Sequence, residues 1–115
     1  MAEKSVEARV KAEVTRLNRL LATVDKTKLL AAKRLVENVA FMSVVMADLQ
    51  VDIAANGCTS EYQNGANQWG EKKSPEAEYY ATLLQRFLPA MKQLLDLFPE
   101  GSPRGGDELL GYIGR

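Results

Sequence analysis

The stretch LVENVAFMSVVMADLQVDIAANG, residues 35–57, governs how the rest of the chain is read. Leu35, Val39, Met42, Met46, Leu49 and Ile53 alternate steps of four and three, which lines them up as one seam of an α-helix. Asn38 to Ala47 carry no charge, and Phe41, Val44 and Val45 carry the apolar character to a second face. A helix apolar on two sides belongs to the centre of a fold or to a contact between subunits. Gly57 ends it, since glycine reaches the positive φ of a helix stop without a steric cost.

Toward the N-terminus, Val6, Val10, Val14, Leu17, Leu20, Leu21 and Val24 recur at helical spacing and predict an amphipathic helix over about residues 5–24. Arg9 and Arg16 fall on nearly one line beside this stripe, with Arg19 a step further round. VDKTK interrupts the pattern, and Asp25 or Thr27 offers an N-cap for a second helix expected to run on to Asn56.

Toward the C-terminus, Ser74-Pro75-Glu76 opens a third helix. Serine caps, proline fits the first turn where its missing N–H costs nothing, and Glu76 and Glu78 suit the positive end of the dipole. Tyr80, Leu84, Phe87, Met91, Leu94 and Phe98 repeat the four-three stripe. Pro89 lies inside it and predicts a kink near residues 85–89 or a split into two helices. The remaining residues, 100–115, read as a flexible or docking tail in which GDELLGYI is too short to stay helical unless it packs elsewhere.

Between the second and third helices, residues 58–73 are too long for a plain helix-to-helix turn. Asn64-Gly65 is a preferred type I′ pair, and Thr59, Tyr62 and Trp69 are good strand residues, so the segment predicts a β-hairpin. A two-residue turn there would set Gln63 opposite Ala66 and Ser60 opposite Trp69. The alternative is an irregular loop anchored by Tyr62 and Trp69. An isolated hairpin is marginal in water, which gives Tyr62, Asn64, Gly65 and Trp69 a role in packing or assembly. The fold class expected is mainly α: one domain over residues 1–115, a bundle of about three helices, the third kinked at Pro89, and a small hairpin before the third.

The chain has 115 residues, one cysteine (Cys58) and no histidine. That excludes Cys-His pairs, Ser-His-Asp triads and zinc sites with histidine or several cysteines. No apolar run comes near the ~18 residues of a membrane helix, and no signal core follows the first charges, so a cytosolic protein is expected. The best acid pair, Asp48 and Asp52, lacks further ligands, and no catalytic residue, metal or cofactor is assigned.

Charge is zero overall but uneven. Residues 1–34 hold nine Lys/Arg against four Asp/Glu, and residues 35–70 hold four acids and no base. The basic end is either a solvated face or a nucleic-acid contact.

EYQNGANQWGEKKSPE, followed by a Leu-rich helix with KQLLDLFP and then SPR, resembles the small terminase subunits of tailed bacteriophages. The likeness covers roughly residues 35–104: a helix ending in Asn56-Gly57, a short polar β segment, Lys73 and Pro75, a helix, and the Pro103-Arg104 close. It implies a non-enzymatic viral protein that forms a homo-oligomeric ring in the cytoplasm of the bacterial host. Such a protein binds double-stranded phage DNA and delivers it to the large terminase subunit, the ATPase and nuclease. No base-reading helix-turn-helix is legible at the N-terminus. DNA contacts are therefore assigned to backbone binding by Arg9, Arg16, Arg19, Lys26, Lys28, Lys33 and Arg34. The alternative is a helical structural adaptor or regulatory protein-binding module of a phage, without DNA binding.

Overall fold

The computed structural model describes residues 5–63 and 69–99. Its elements run α1 (Val6–Leu20), α2 (Lys26–Ala31), α3 (Lys33–Asn56), β1 (Thr59–Gln63), β2 (Trp69–Lys73) and α4 (Pro75–Leu95). The molecule is mainly helical, with three main helices and one antiparallel two-stranded hairpin between α3 and α4.

The central helix is α3, and both α1 and α4 pack on it. Arg9 of α1 meets Asp48 near the end of α3, while Tyr80 near the start of α4 meets Gln50. Both outer helices therefore run antiparallel to α3 and parallel to each other. Val36, Val39, Ala40, Val44 and Met46 are the buried residues of α3. Two partners widen its buried face beyond the single predicted seam, of which Leu35, Met42, Leu49 and Ile53 are only half-buried.

Burial along the outer helices is graded. On α1, Val6 is 43% exposed, Val10 and Val14 are half-buried, and Leu17 is fully buried, as is Leu21 just past the helix. On α4, Tyr80 and Leu84 are half-buried while Phe87, Met91 and Leu94 are buried. Leu17, Leu21, Val39, Met91 and Leu94 form the tightest core, at the end of the bundle near α2. The bundle opens toward the end that carries the hairpin.

Local chemistry sets the element boundaries. Ser5 Oγ accepts from the Ala8 N–H at 3.1 Å, and Asp25 Oδ1 accepts from the Thr27 N–H at 3.0 Å. Of the two predicted caps, Asp25 is the one used. The helix expected from there to Asn56 is interrupted at Ala32, which caps α2 and starts α3 with φ −94° and ψ 6°. Ala32 is buried between exposed Ala31 and Lys33, so the break follows packing and not a local breaker residue.

At the other end of α3, Gly57 has φ 82° and ψ −177° and donates its N–H to the Ile53 carbonyl at 2.8 Å. The positive φ matches the expected stop, while the extended ψ carries the chain directly toward β1. Ser74 is buried and its Oγ accepts from the Ala77 N–H at 3.1 Å, as the capping argument requires. From Pro75, α4 runs unbroken through Pro89 to Leu95, so the split alternative is not adopted.

The hairpin is present, with a register that corrects the expected one. Ser60 faces Lys72 and Gln63 faces Trp69, a shift of three residues along β2. The cause lies at the base of the hairpin: the Ser74 N–H donates to the Cys58 carbonyl at 2.8 Å, immediately between Gly57 and the capped start of α4. Two helix ends thus set the pairing, and the two-residue loop that would pair Gln63 with Ala66 is incompatible with it. Asn64 and Gly65 themselves lie outside the described residues, as do the side chains of Tyr62 and Trp69.

The expectation that no segment comes near membrane-span length is also corrected. By length and average hydropathy α3 meets that description, although only 22% of its most apolar 18-residue window is buried in this chain. Its charges, Lys33, Arg34 and Glu37 at the start and Asp48 and Asp52 toward the end, bound the apolar run. Its core residues are already taken up by α1 and α4.

Candidate functional site

The predicted basic residues divide between two regions. Arg19 ends α1, Lys26 and Lys28 lie on α2, and Lys33 and Arg34 begin α3. Because α2 links the end of α1 to the start of α3, these five exposed cations gather around one corner of the bundle. Arg16 lies one turn earlier on α1, with its guanidinium 3.6 Å from Glu13. Three acids offset part of this charge: Glu13 beside Arg16, Asp25 at the α2 cap, and Glu37 at 3.9 Å from the Arg34 Nε.

Arg9 is elsewhere. It lies near the opposite end of the bundle, where its Nη1 reaches Asp48 Oδ1 at 2.8 Å and Oδ2 at 3.0 Å. Both side chains are partly exposed, 35% and 49%, so the pair ties α1 to α3 with a strength of about 1 kcal/mol or less. Asp52 accepts from the Asn56 side-chain amide at 2.8 Å. The acid pair on α3 is thus divided between two different partners. Among the described residues no group of three or more His, Cys, Asp or Glu is placed to hold a metal ion.

The opposite end of the molecule, around the end of α3, the hairpin and the start of α4, carries Asp48, Asp52, Glu61, Glu71, Glu76 and Glu78 against Arg9, Lys72 and Lys73. The net neutral chain is therefore polar along its length, basic at the α2 corner and acidic toward the hairpin. Arg19 and Lys26 lie on consecutive elements, α1 and α2, joined by one short connection. Within the hairpin, Glu61 faces Glu71, a like-charge pair that weakens an already marginal element.

A second feature was not legible beforehand: an open cleft of about 530 Å³ between α1 and α4, floored by α3. Ser43, Val44, Ala47 and Gln50 form its floor, Arg9, Glu13 and Arg16 one wall, and Tyr80, Leu84, Phe87 and Leu88 the other. It exists because the outer helices lose contact with the core toward the hairpin end, while small Ser43 and Ala47 leave the floor low. The Gln50 side-chain amide donates to the Tyr80 hydroxyl at 3.0 Å across it. The lining is apolar in the middle and charged on one rim.

Comparison of the chain with protein-family models, with curated proteins and with solved structures finds no match in any of the three.

Proposed function

We propose that the protein is a DNA-packaging factor of the terminase small-subunit type, a non-catalytic phage protein that oligomerises and hands double-stranded DNA to a large packaging subunit. The observation that carries the reading is the basic corner: Arg19, Lys26, Lys28, Lys33 and Arg34 are all exposed on the consecutive elements from the end of α1 to the start of α3, with Arg16 one turn earlier. A surface of that kind suits phosphates, whose release of condensed counterions drives sequence-independent binding. Arg9 is left out of the DNA surface in this reading, because it is committed to Asp48. Two further features support assembly: an apolar α3 that its own chain covers only in part, and a hairpin whose contacts are chiefly between its own strands. The same reading sets the protein in the cytoplasm of the bacterial host.

The test is fluorescence anisotropy of a labelled DNA duplex over a salt series, with wild type and the K28E/K33E/R34E variant. Affinity of the wild type is expected to fall steeply as salt rises, and the variant to lose roughly one unit of log–log slope per phosphate contact removed. Binding that is absent or insensitive to salt would overturn the DNA role and favour the adaptor reading, which requires the same helices and no phosphate surface.

A further inference from the structure

We infer that the protein pairs with a second copy of itself through the side of α3 turned away from the cleft, the two copies of α3 lying antiparallel about a two-fold axis near residue 43. The contact does not depend on the DNA-packaging reading, since α3 alone supplies its residues.

Spacing comes first. Arg34, Asn38, Phe41, Val45, Asp48 and Asp52 follow one another by steps of four, three, four, three and four, so they form one seam along α3. At 3.6 residues per turn this seam falls opposite Ser43, Ala47 and Gln50, the floor of the cleft. The outer helices flank the cleft and leave the middle of the seam uncovered. Phe41 is 47% exposed and belongs to no core cluster, and Asn38 is exposed one turn before it. Half-buried Val45, with Met42 and Leu49 at the edge, widens the apolar patch around Phe41.

Charge comes second, and it decides both the occupant and the direction. The seam is basic at its start, apolar in the middle and acidic at its end, and its steps read the same from either end. Laid antiparallel on itself, it sets Arg34 opposite Asp52, Asn38 opposite Asp48 and Phe41 opposite Val45, each pair occurring twice by symmetry. Parallel copies would set Arg34 beside Arg34 and Asp52 beside Asp52, a like-charge arrangement. The contacts within one chain leave room for this pairing. Arg34 meets Glu37 only at 3.9 Å with its side chain 88% exposed, and Asp52 accepts one bond from Asn56 where a carboxylate can take several. Asp48 stays with Arg9. Arg34 stands at the edge of the basic corner, and its turn toward Asp52 leaves Arg19, Lys26, Lys28 and Lys33 to that corner. A two-fold contact closes on itself, so it supplies a dimeric unit, and any larger assembly joins such units through other surfaces.

The test is a pair of charge reversals, Arg34→Glu and Asp52→Arg, in separate full-length chains, with the mass followed by light scattering over a dilution series. Arg34 is exposed and Asp52 half-buried, and circular dichroism checks that the helices are kept. Each variant alone brings like charges together at both ends of the seam, and its dissociation constant is expected to rise on the order of tenfold or more above that of the wild type. An equimolar mixture of the two restores opposite charges at both ends and is expected to pair as tightly as the wild type. A wild type that stays monomeric, variants that pair as well as the wild type, or a mixture no tighter than either variant alone would overturn the proposal. Direction is read separately from disulfides in the Cys58→Ser chain, which lacks the exposed native thiol. Arg34→Cys and Asp52→Cys chains, mixed and oxidised, are expected to give a linked heterodimer. Neither closes on itself, because the two copies of each position stand about 27 Å apart along the paired helices. Self-closure of Arg34→Cys would reveal a parallel contact and overturn the proposal, as would a mixture that gives no heterodimer.

Discussion

Gly57 shows how much one residue without a side chain decides here. Its φ of 82° with ψ near 180° is a backbone conformation open to glycine and strained for every L-residue. A Cβ added there meets no atom within 4 Å, so steric crowding from neighbours plays no part. Gly57→Ala is therefore expected to lower the unfolding free energy by about 1–3 kcal/mol through backbone strain alone, read from urea denaturation. A neutral result would mean that the chain leaves α3 by another route. Ser74 complements it across the base of the hairpin: its side chain caps α4 while its N–H reaches Cys58, so one residue fastens both the helix start and the hairpin register.

Among the elements, α4 is the one whose sequence contains a conflict. Pro89 removes one backbone hydrogen bond and crowds the Gln85 carbonyl, yet the helix continues to Leu95. Both Gln85 and Pro89 are exposed, so water can satisfy the freed carbonyl, and the buried Phe87, Met91 and Leu94 hold the helix on α3 from the other side. Pro89→Ala restores the bond without touching the core. It is expected to raise the denaturation midpoint, by up to about 3 kcal/mol in stability. A lower midpoint would show that the geometry imposed by proline is needed to seat Met91 and Leu94. The hairpin is the opposite case: its turn pair was the strongest local signal, and its register was set by the two helix ends at its base.

At the scale of the whole molecule the body is long, 62 × 35 × 23 Å, with a radius of gyration of 18.1 Å against about 13 Å for a compact chain of this size. Such a shape leaves apolar surface uncovered: Phe41 on α3 and Leu30 on α2 are 47% and 76% exposed. In the oligomer proposed above this surface lies between copies. Light scattering is expected to give a mass several times that of the 12.7 kDa chain. Phe41→Asp should shift it toward the monomer while leaving the helical circular dichroism intact, since Phe41 belongs to no core cluster. A wild-type monomer would count against assembly through α3, and an unchanged mass for Phe41→Asp would place the contact on another face.

The three helices, their stripes, the cap at Ser74 and the choice of Asp25 or Thr27 as the next cap could be read from the sequence because each depends on spacing and on side chains within one turn. So could the existence of a hairpin, and the surplus of basic residues in the first third of the chain. The break at Ala32, the hairpin register, the separation of Arg9 from the other cations and the cleft between α1 and α4 came only with the tertiary structure. Each of these depends on contacts between residues distant in sequence: a buried alanine at a corner, a hydrogen bond from Ser74 to Cys58, an ion pair from Arg9 to Asp48, and two outer helices that diverge from a shared core. Local propensity carries no information about which distant partner a side chain will meet, and for this protein that is what arranges the surfaces on which function depends.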